Sequence, residues 1–195
     1  MIFRKKTPVA PWQFLDEHHN DETVMNQVVH VFAQCYQDHF KEELLVNHQF
    51  PIEIRAFRHT DIWRIFLLLT PWILARVFLP KLPPDIPMPP GWAPEERLHI
   101  PFQVIGPALP LAILGGREQA HLNYHPELGH YFIQPLIQSM TQFNIPDQAF
   151  EAWNAVIRTR DAAIQAQQKR CDWQQEVSRR EFFAKVIRQS SPKTE

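Results

Sequence analysis

The sequence predicts an α+β protein, a largely antiparallel sheet flanked by an N-terminal helix and a C-terminal helix. Three observations predict it. Apolar residues recur at spacings of three and four over residues 22–40 and again beyond residue 147, as on the buried stripe of a helix. Between these stretches lie short apolar runs of strand length, bounded by turn chemistry. The 18 prolines far outnumber the 5 glycines and concentrate between Pro71 and Pro110. Long helices are excluded there, because proline lacks an N–H and clashes with the preceding turn.

Each element follows in order. Residues 1–20 read as an arm, with Trp12, Phe14 and Leu15 able to pack on the body. Val24, Val28, Val31, Phe32, Cys35 and Tyr36 then form one helical stripe, and Asp21 is the expected N-cap. Ile52, Ile54 and Ala56 alternate with Glu53 and Arg55, which suits a strand with one buried face. Residues 58–61 read as a hairpin connection. The run 62–70 lacks alternation and reads as a central strand buried on both faces. Residues 73–80 continue as a strand, and 81–94 form a proline-rich loop with Trp92 near its end. Residues 101–114 are apolar pieces divided by Gly106, Pro107 and Pro110, and Gly115-Gly116 supplies a turn. Tyr131 to Ile137 is the last strand, with Pro135 confining it to an edge or a bulge. A helix starts near Asp147, a candidate cap, with Phe150, Trp153, Ile157 and Ile164 as its stripe. The expected organisation is an arm over 1–20, one α+β domain over 21–170 and an appendage over 171–195.

Composition excludes several classes. The formal net charge of -1 provides no overall field for nucleic acid or an anionic membrane. Cys35 and Cys171 form no Cys-x-x-Cys motif, and two cysteines cannot make a disulfide framework. Both are expected as reduced thiols, which fits a cytoplasmic protein. The basic N-terminus has no following apolar region of a secretory signal. The most apolar run, 65–79, is short of a bilayer span and is interrupted by Pro71 and Arg76. Nucleotide-binding glycine motifs and the Gly-x-Ser-x-Gly elbow are absent. The densest histidine set is His121, His125 and His130, but Pro126 and Gly129 favour a loop, where the spacing of four loses its helical meaning. The expectation is no enzyme, no cofactor and no metal. Two alternatives are a metal or redox enzyme built on those histidines and a peripheral membrane adaptor using the apolar loop.

Four stretches carry a family likeness: NHQFPIEIRAFR at 47–58, LLLTPWILARVFLP at 67–80, HIPFQVIGPALPLAI at 99–113 and ELGHYFIQPLIQSMTQF at 127–143. Their succession resembles the HybE/HupJ family of NiFe-hydrogenase assembly chaperones. The most specific piece is Thr70-Pro71-Trp72 with Leu79-Pro80 at the family's spacing; Gly129-x-Tyr131 and Ser139-Met140 support it. Gln134-Pro135 and the missing proline at Ser139 depart from the family pattern, and no rubredoxin-like cysteine module is present. The resemblance implies a protein that holds a hydrogenase large- or small-subunit precursor, or its twin-arginine signal peptide, until cofactor insertion is complete.

Such a protein needs exposed apolar anchors. The residues expected to bind the partner are Thr70, Pro71, Trp72, Phe78, Leu79, Pro80, Met88, Trp92, Tyr131, Met140, Arg179 and Arg180. The last two belong to SRREFFAK at 178–185, which imitates a twin-arginine signal without the apolar region that must follow one. It reads either as a solvated helix end or as a mimic of the signal peptide. A homo-oligomer is compatible with all of this.

Overall fold

The computed structural model describes residues 12–15, 20–60, 62–100, 105–113 and 116–189, with side chains described as far as 168. The chain divides into two compact units, Met1–Ala149 and Phe150–Glu195.

The first unit is built on one six-stranded sheet in the order β1-β2-β3-β6-β5-β4. The strands are β1 (Glu53–His59), β2 (Trp63–Leu69), β3 (Leu74–Pro80), β4 (Ala108–Ile113), β5 (Gly116–His125) and β6 (Gly129–Ile137). Every neighbouring pair is antiparallel. The predicted fold class is therefore what the chain adopts.

Each face of the sheet has its own cover. On one face helix α1 (Asp21–Cys35) lays Val24, Val28, Val31 and Phe32 against Phe66, Leu68, Val77, Tyr131 and Ile133. On the other, Trp63, Ile65, Phe78, Leu122 and Phe132 meet Trp92, Met88, Ile86 and Trp12 from the proline-rich segment and the arm. A strand in the middle of such a sheet buries both sets of its alternating side chains. This explains the apolar run Ile65–Leu69 of β2.

Local chemistry corrects several expectations. The α1 cap is Asn20, one residue earlier than predicted: its side-chain oxygen accepts the Glu22 N–H at 2.7 Å. Asp21 lies in the first turn and pairs instead with His59 at 2.8 Å. The helix continues past Cys35 as a π-helical turn, Tyr36–Phe40. Pro135 sits in interior strand β6, where the register against β3 slips between Leu74 and Ala75, so the bulge alternative holds.

Strand β4 was missed because Pro107 and Pro110 break its pattern. The ladder explains how it forms. The Pro107 carbonyl accepts from Leu122 N–H, and Ala108 pairs with His121. By antiparallel alternation, the backbone groups of 109, 111 and 113 then face β5, and those of 108, 110 and 112 face outward. Pro110 therefore lacks only an N–H that no strand needs. Gly129 closes the β5–β6 hairpin at φ 70, where a Cβ would strike the Gln13 backbone.

The second unit begins within helix α3 (Pro146–Gln189), whose 44 residues span about 66 Å. Among its described side chains, Val156 and Ile164 are exposed.

Candidate functional site

The Thr-Pro-Trp stretch forms the β2–β3 turn. Leu69 pairs with Leu74, leaving four residues to reverse the chain. The Thr70 N–H donates to the Ile73 carbonyl at 2.9 Å. The Thr70 hydroxyl oxygen accepts the Ile73 and Trp72 N–H groups at 3.0 and 3.3 Å. These donors are buried, so a residue without that oxygen would leave them unpaired.

The turn directs Trp72 onto a column of aromatic residues. Phe32, Tyr36 and Phe40 follow each other at four-residue spacing. Their ring centroids lie 6.4, 6.3 and 4.2 Å from Trp72, all near parallel. Next to this stack opens a groove of about 320 Å³, lined by Phe40, Glu43, Leu45, Trp72, Ile105 and Gln138 among others. Leu44 and Leu45, on the loop after the π turn, are 94% and 81% exposed. Soluble surfaces seldom present two adjacent leucines so fully. The Trp72 indole N–H is buried with no acceptor among the described residues.

Asn47 fastens the groove. Its backbone N–H donates to the Pro71 carbonyl at 2.9 Å. Its side-chain NH₂ donates to the Met140 and Phe143 carbonyls at 3.2 and 2.8 Å. Three segments far apart in sequence are thereby tied at one place. All belong to the stretches that carry the family likeness, and Ile105 brings the fourth.

The other expected partner-binding residues lie elsewhere. Phe78, Leu79, Tyr131 and Met140 are at most 1% exposed, and Thr70, Pro71 and Pro80 are also buried. Met88 is half-buried against the second core cluster. Trp92 carries the Arg97 guanidinium 4.3 Å above its ring. A Cβ at Gly106 would overlap the Trp92 ring and the Leu122 carbonyl. Arg179 and Arg180 fall on α3, but their side chains lie outside the described residues.

The histidines are engaged separately. His121 and His125 stand on strand β5, where four residues span about 13 Å. The His121 Nδ1 lies 2.7 Å from the Gly106 carbonyl. The buried His130 Nδ1 lies 3.0 Å from the Gln13 N–H, and its Nε2 lies 2.8 Å from the Trp92 carbonyl. A neutral ring satisfies both, accepting at Nδ1 and donating at Nε2. Burial lowers its pKa below the ordinary histidine value, although the carbonyls of Trp92 and Gln13 pull the other way. Among the described residues, no three His, Cys, Asp or Glu side chains come together as a metal-binding group. The Cys35 thiol is pushed up to about 12, chiefly by burial and then by Asp38, so it is not a thiolate at neutral pH.

No helix among the described residues is long and apolar enough to cross a membrane. A comparison with curated proteins finds no match. Among solved structures, the solution structure of HybE from Escherichia coli matches at 13% identity with a TM-score of 0.45. That match covers 69% of this chain and 74% of the other. The family model described as NiFe-hydrogenase assembly, chaperone, HybE matches residues 23–185. The chain therefore belongs to the HybE family of NiFe-hydrogenase assembly chaperones.

Proposed function

We propose that this chaperone holds an unfinished hydrogenase subunit precursor in the cytoplasm through the groove beside Trp72. The observation that carries this reading is the near-complete exposure of Leu45, which lines an aromatic-floored groove, and of Leu44 beside it in the chain. Trp72 is fixed by the turn and by three stacked rings, so little side-chain entropy is lost when a partner covers it. Glu42 and Glu43 immediately precede the two leucines, and Glu43 lines the groove. An apolar surface with carboxylates at its margin suits a segment in which basic residues precede an apolar run. That is the chemistry of a twin-arginine signal peptide, which we favour as the part of the precursor that is held. The protein acts by binding and not by catalysis. The inert Cys35 thiol and the separately occupied histidines support that reading.

The test is isothermal titration of the full chain with three ligands: the small-subunit precursor, the same subunit without its signal, and the signal peptide alone. The variant Leu44→Asp/Leu45→Asp is expected to bind the precursor at least about tenfold more weakly, given 1.5–3 kcal/mol for each fully covered leucine. Its melting temperature should be unchanged, because both side chains face water in the free protein. Unaltered affinity would remove the groove from the interaction. Equal affinity for the subunit with and without its signal would move the contact to the mature chain.

A further inference from the structure

A second cleft lies on the other side of the sheet and belongs to no part of the groove just described. Its volume is about 360 Å³. Ile62, Trp63, Ile86 and Leu111 give it apolar walls, and Asp85 and Arg117 give it one charge of each sign. Neither charge has a hydrogen-bond or ion-pair partner among the described residues. Arg117 is adjacent in sequence to Glu118, but that carboxylate is turned to Arg76 and Gln134.

The cleft also runs along the β4 edge of the sheet, which pairs with no second strand among the described residues. Pro110, Leu111 and Ala112 all line it. Side chains of consecutive strand residues point to opposite faces, so a wall containing three in a row is the edge of the strand itself. The same ladder parity turns the Pro110 carbonyl and both backbone groups of Ala112 toward that edge.

We infer that this cleft binds an extended peptide segment laid along the open edge of β4, with a basic side chain toward Asp85, an acidic side chain toward Arg117 and an apolar side chain between them. The Ala112 N–H and carbonyl and the Pro110 carbonyl supply the backbone hydrogen bonds, as in other cases of strand addition. Pro110 has no N–H to offer, so the added strand is short. The same proline keeps the edge from extending into an open-ended ladder between copies. The inference does not depend on the groove beside Trp72.

The experiment uses the full chain and fluorescein-labelled, end-blocked peptides, binding being read by anisotropy. The probes carry Lys and Glu separated by two to four residues that include Phe, with Ala-for-charge and charge-exchanged versions as controls. The Lys/Glu peptide is expected to bind roughly tenfold more tightly than its neutral version, the scale of two exposed ion pairs. The exchange Asp85→Arg/Arg117→Glu should reverse the preference between the Lys/Glu peptide and its charge-exchanged version. Ala112→Pro should weaken every peptide, and Ala112→Val, which keeps the N–H, should not. That proline removes a donor that no other described strand uses, so the fold is expected to survive, as circular dichroism would verify. The inference is overturned if charged and neutral peptides bind alike, if the double variant keeps the original preference, or if Ala112→Pro binds as the wild type does. Loss of the groove contact by Leu44→Asp/Leu45→Asp would leave these peptide affinities unchanged, which separates the two sites.

Discussion

Single residues decide whether the groove exists. Asn47 holds three carbonyls from two turns, and its replacement by alanine would take this donor from the Phe143 oxygen and leave the Met140 oxygen with the Phe143 N–H alone. Loss of such a link costs about 1–3 kcal/mol. Asn47→Ala should therefore lower the midpoint of urea unfolding and also weaken precursor binding, whereas a surface change such as Glu42→Gln should leave the midpoint in place. Ala56 poses the opposite case. It sits at φ 54 within the β1 bulge, between the paired positions Arg55 and Arg58. A left-handed backbone costs a residue with a Cβ about 1 kcal/mol. Ala56→Gly is expected to raise stability by up to that amount, less the entropy that glycine adds to the unfolded chain. A fall in the urea midpoint would show that the bulge is not strained. Nothing in the residue pattern marks this position, because alternation through Ile52, Ile54 and Ala56 reads as an ordinary strand.

At the scale of elements, legibility followed the chemistry that controls each one. Helix α1 was readable because its periodicity reports burial directly, and strand β2 because an apolar run without alternation reports burial on both faces. Strand β4 was not, since Pro107 before it and Pro110 within it hide the pattern, and only the ladder shows that the N–H missing at Pro110 points outward. The candidate site was half legible. Thr70-Pro71-Trp72 stood out as a motif, but Leu44 and Leu45 lay in a loop whose polar neighbours masked them. An adjacent leucine pair outside any periodic run was the available signal. The proline-rich segment was expected to face a partner; it instead covers one face of the sheet. Trp92 is the pin of that cover, seated on Gly106 beneath Arg97. Trp92→Ala should cost about 3–5 kcal/mol of stability, the usual scale for deleting a packed indole. The measurement is thermal unfolding alongside precursor titration. A melting temperature within a degree of wild type would show that the segment is not held by this ring.

For the whole molecule, one buried histidine joins pieces that sequence separates most widely. His130 on β6 faces the Gln13 backbone of the arm and the Trp92 carbonyl of the proline-rich segment. Its ring packs against Trp12 and Tyr124, with centroids 5.1 and 4.9 Å away. Protonation adds a charge inside this stack and converts Nδ1 from an acceptor of the Gln13 N–H into a donor. Burial thus holds the folded pKa below the unfolded value of about 6.5. His125, lowered first by burial, acts in the same direction. Above about pH 7.5 both states are neutral at these rings and stability is flat with respect to them. As pH falls through 6.5 the unfolded chain takes up protons that the folded chain refuses, so stability declines. The slope is at most about 1.4 kcal/mol per pH unit for each ring, and it ends once the folded pKa is passed. Urea unfolding at pH 7.5, 6.5 and 5.5 should show the midpoint moving steadily down. His130→Gln, which cannot titrate, should be less stable at pH 7.5 but lose less of its stability on acidification. An identical pH slope in the two proteins would mean that His130 is not the group that couples the arm, the proline-rich cover and the sheet to acidity.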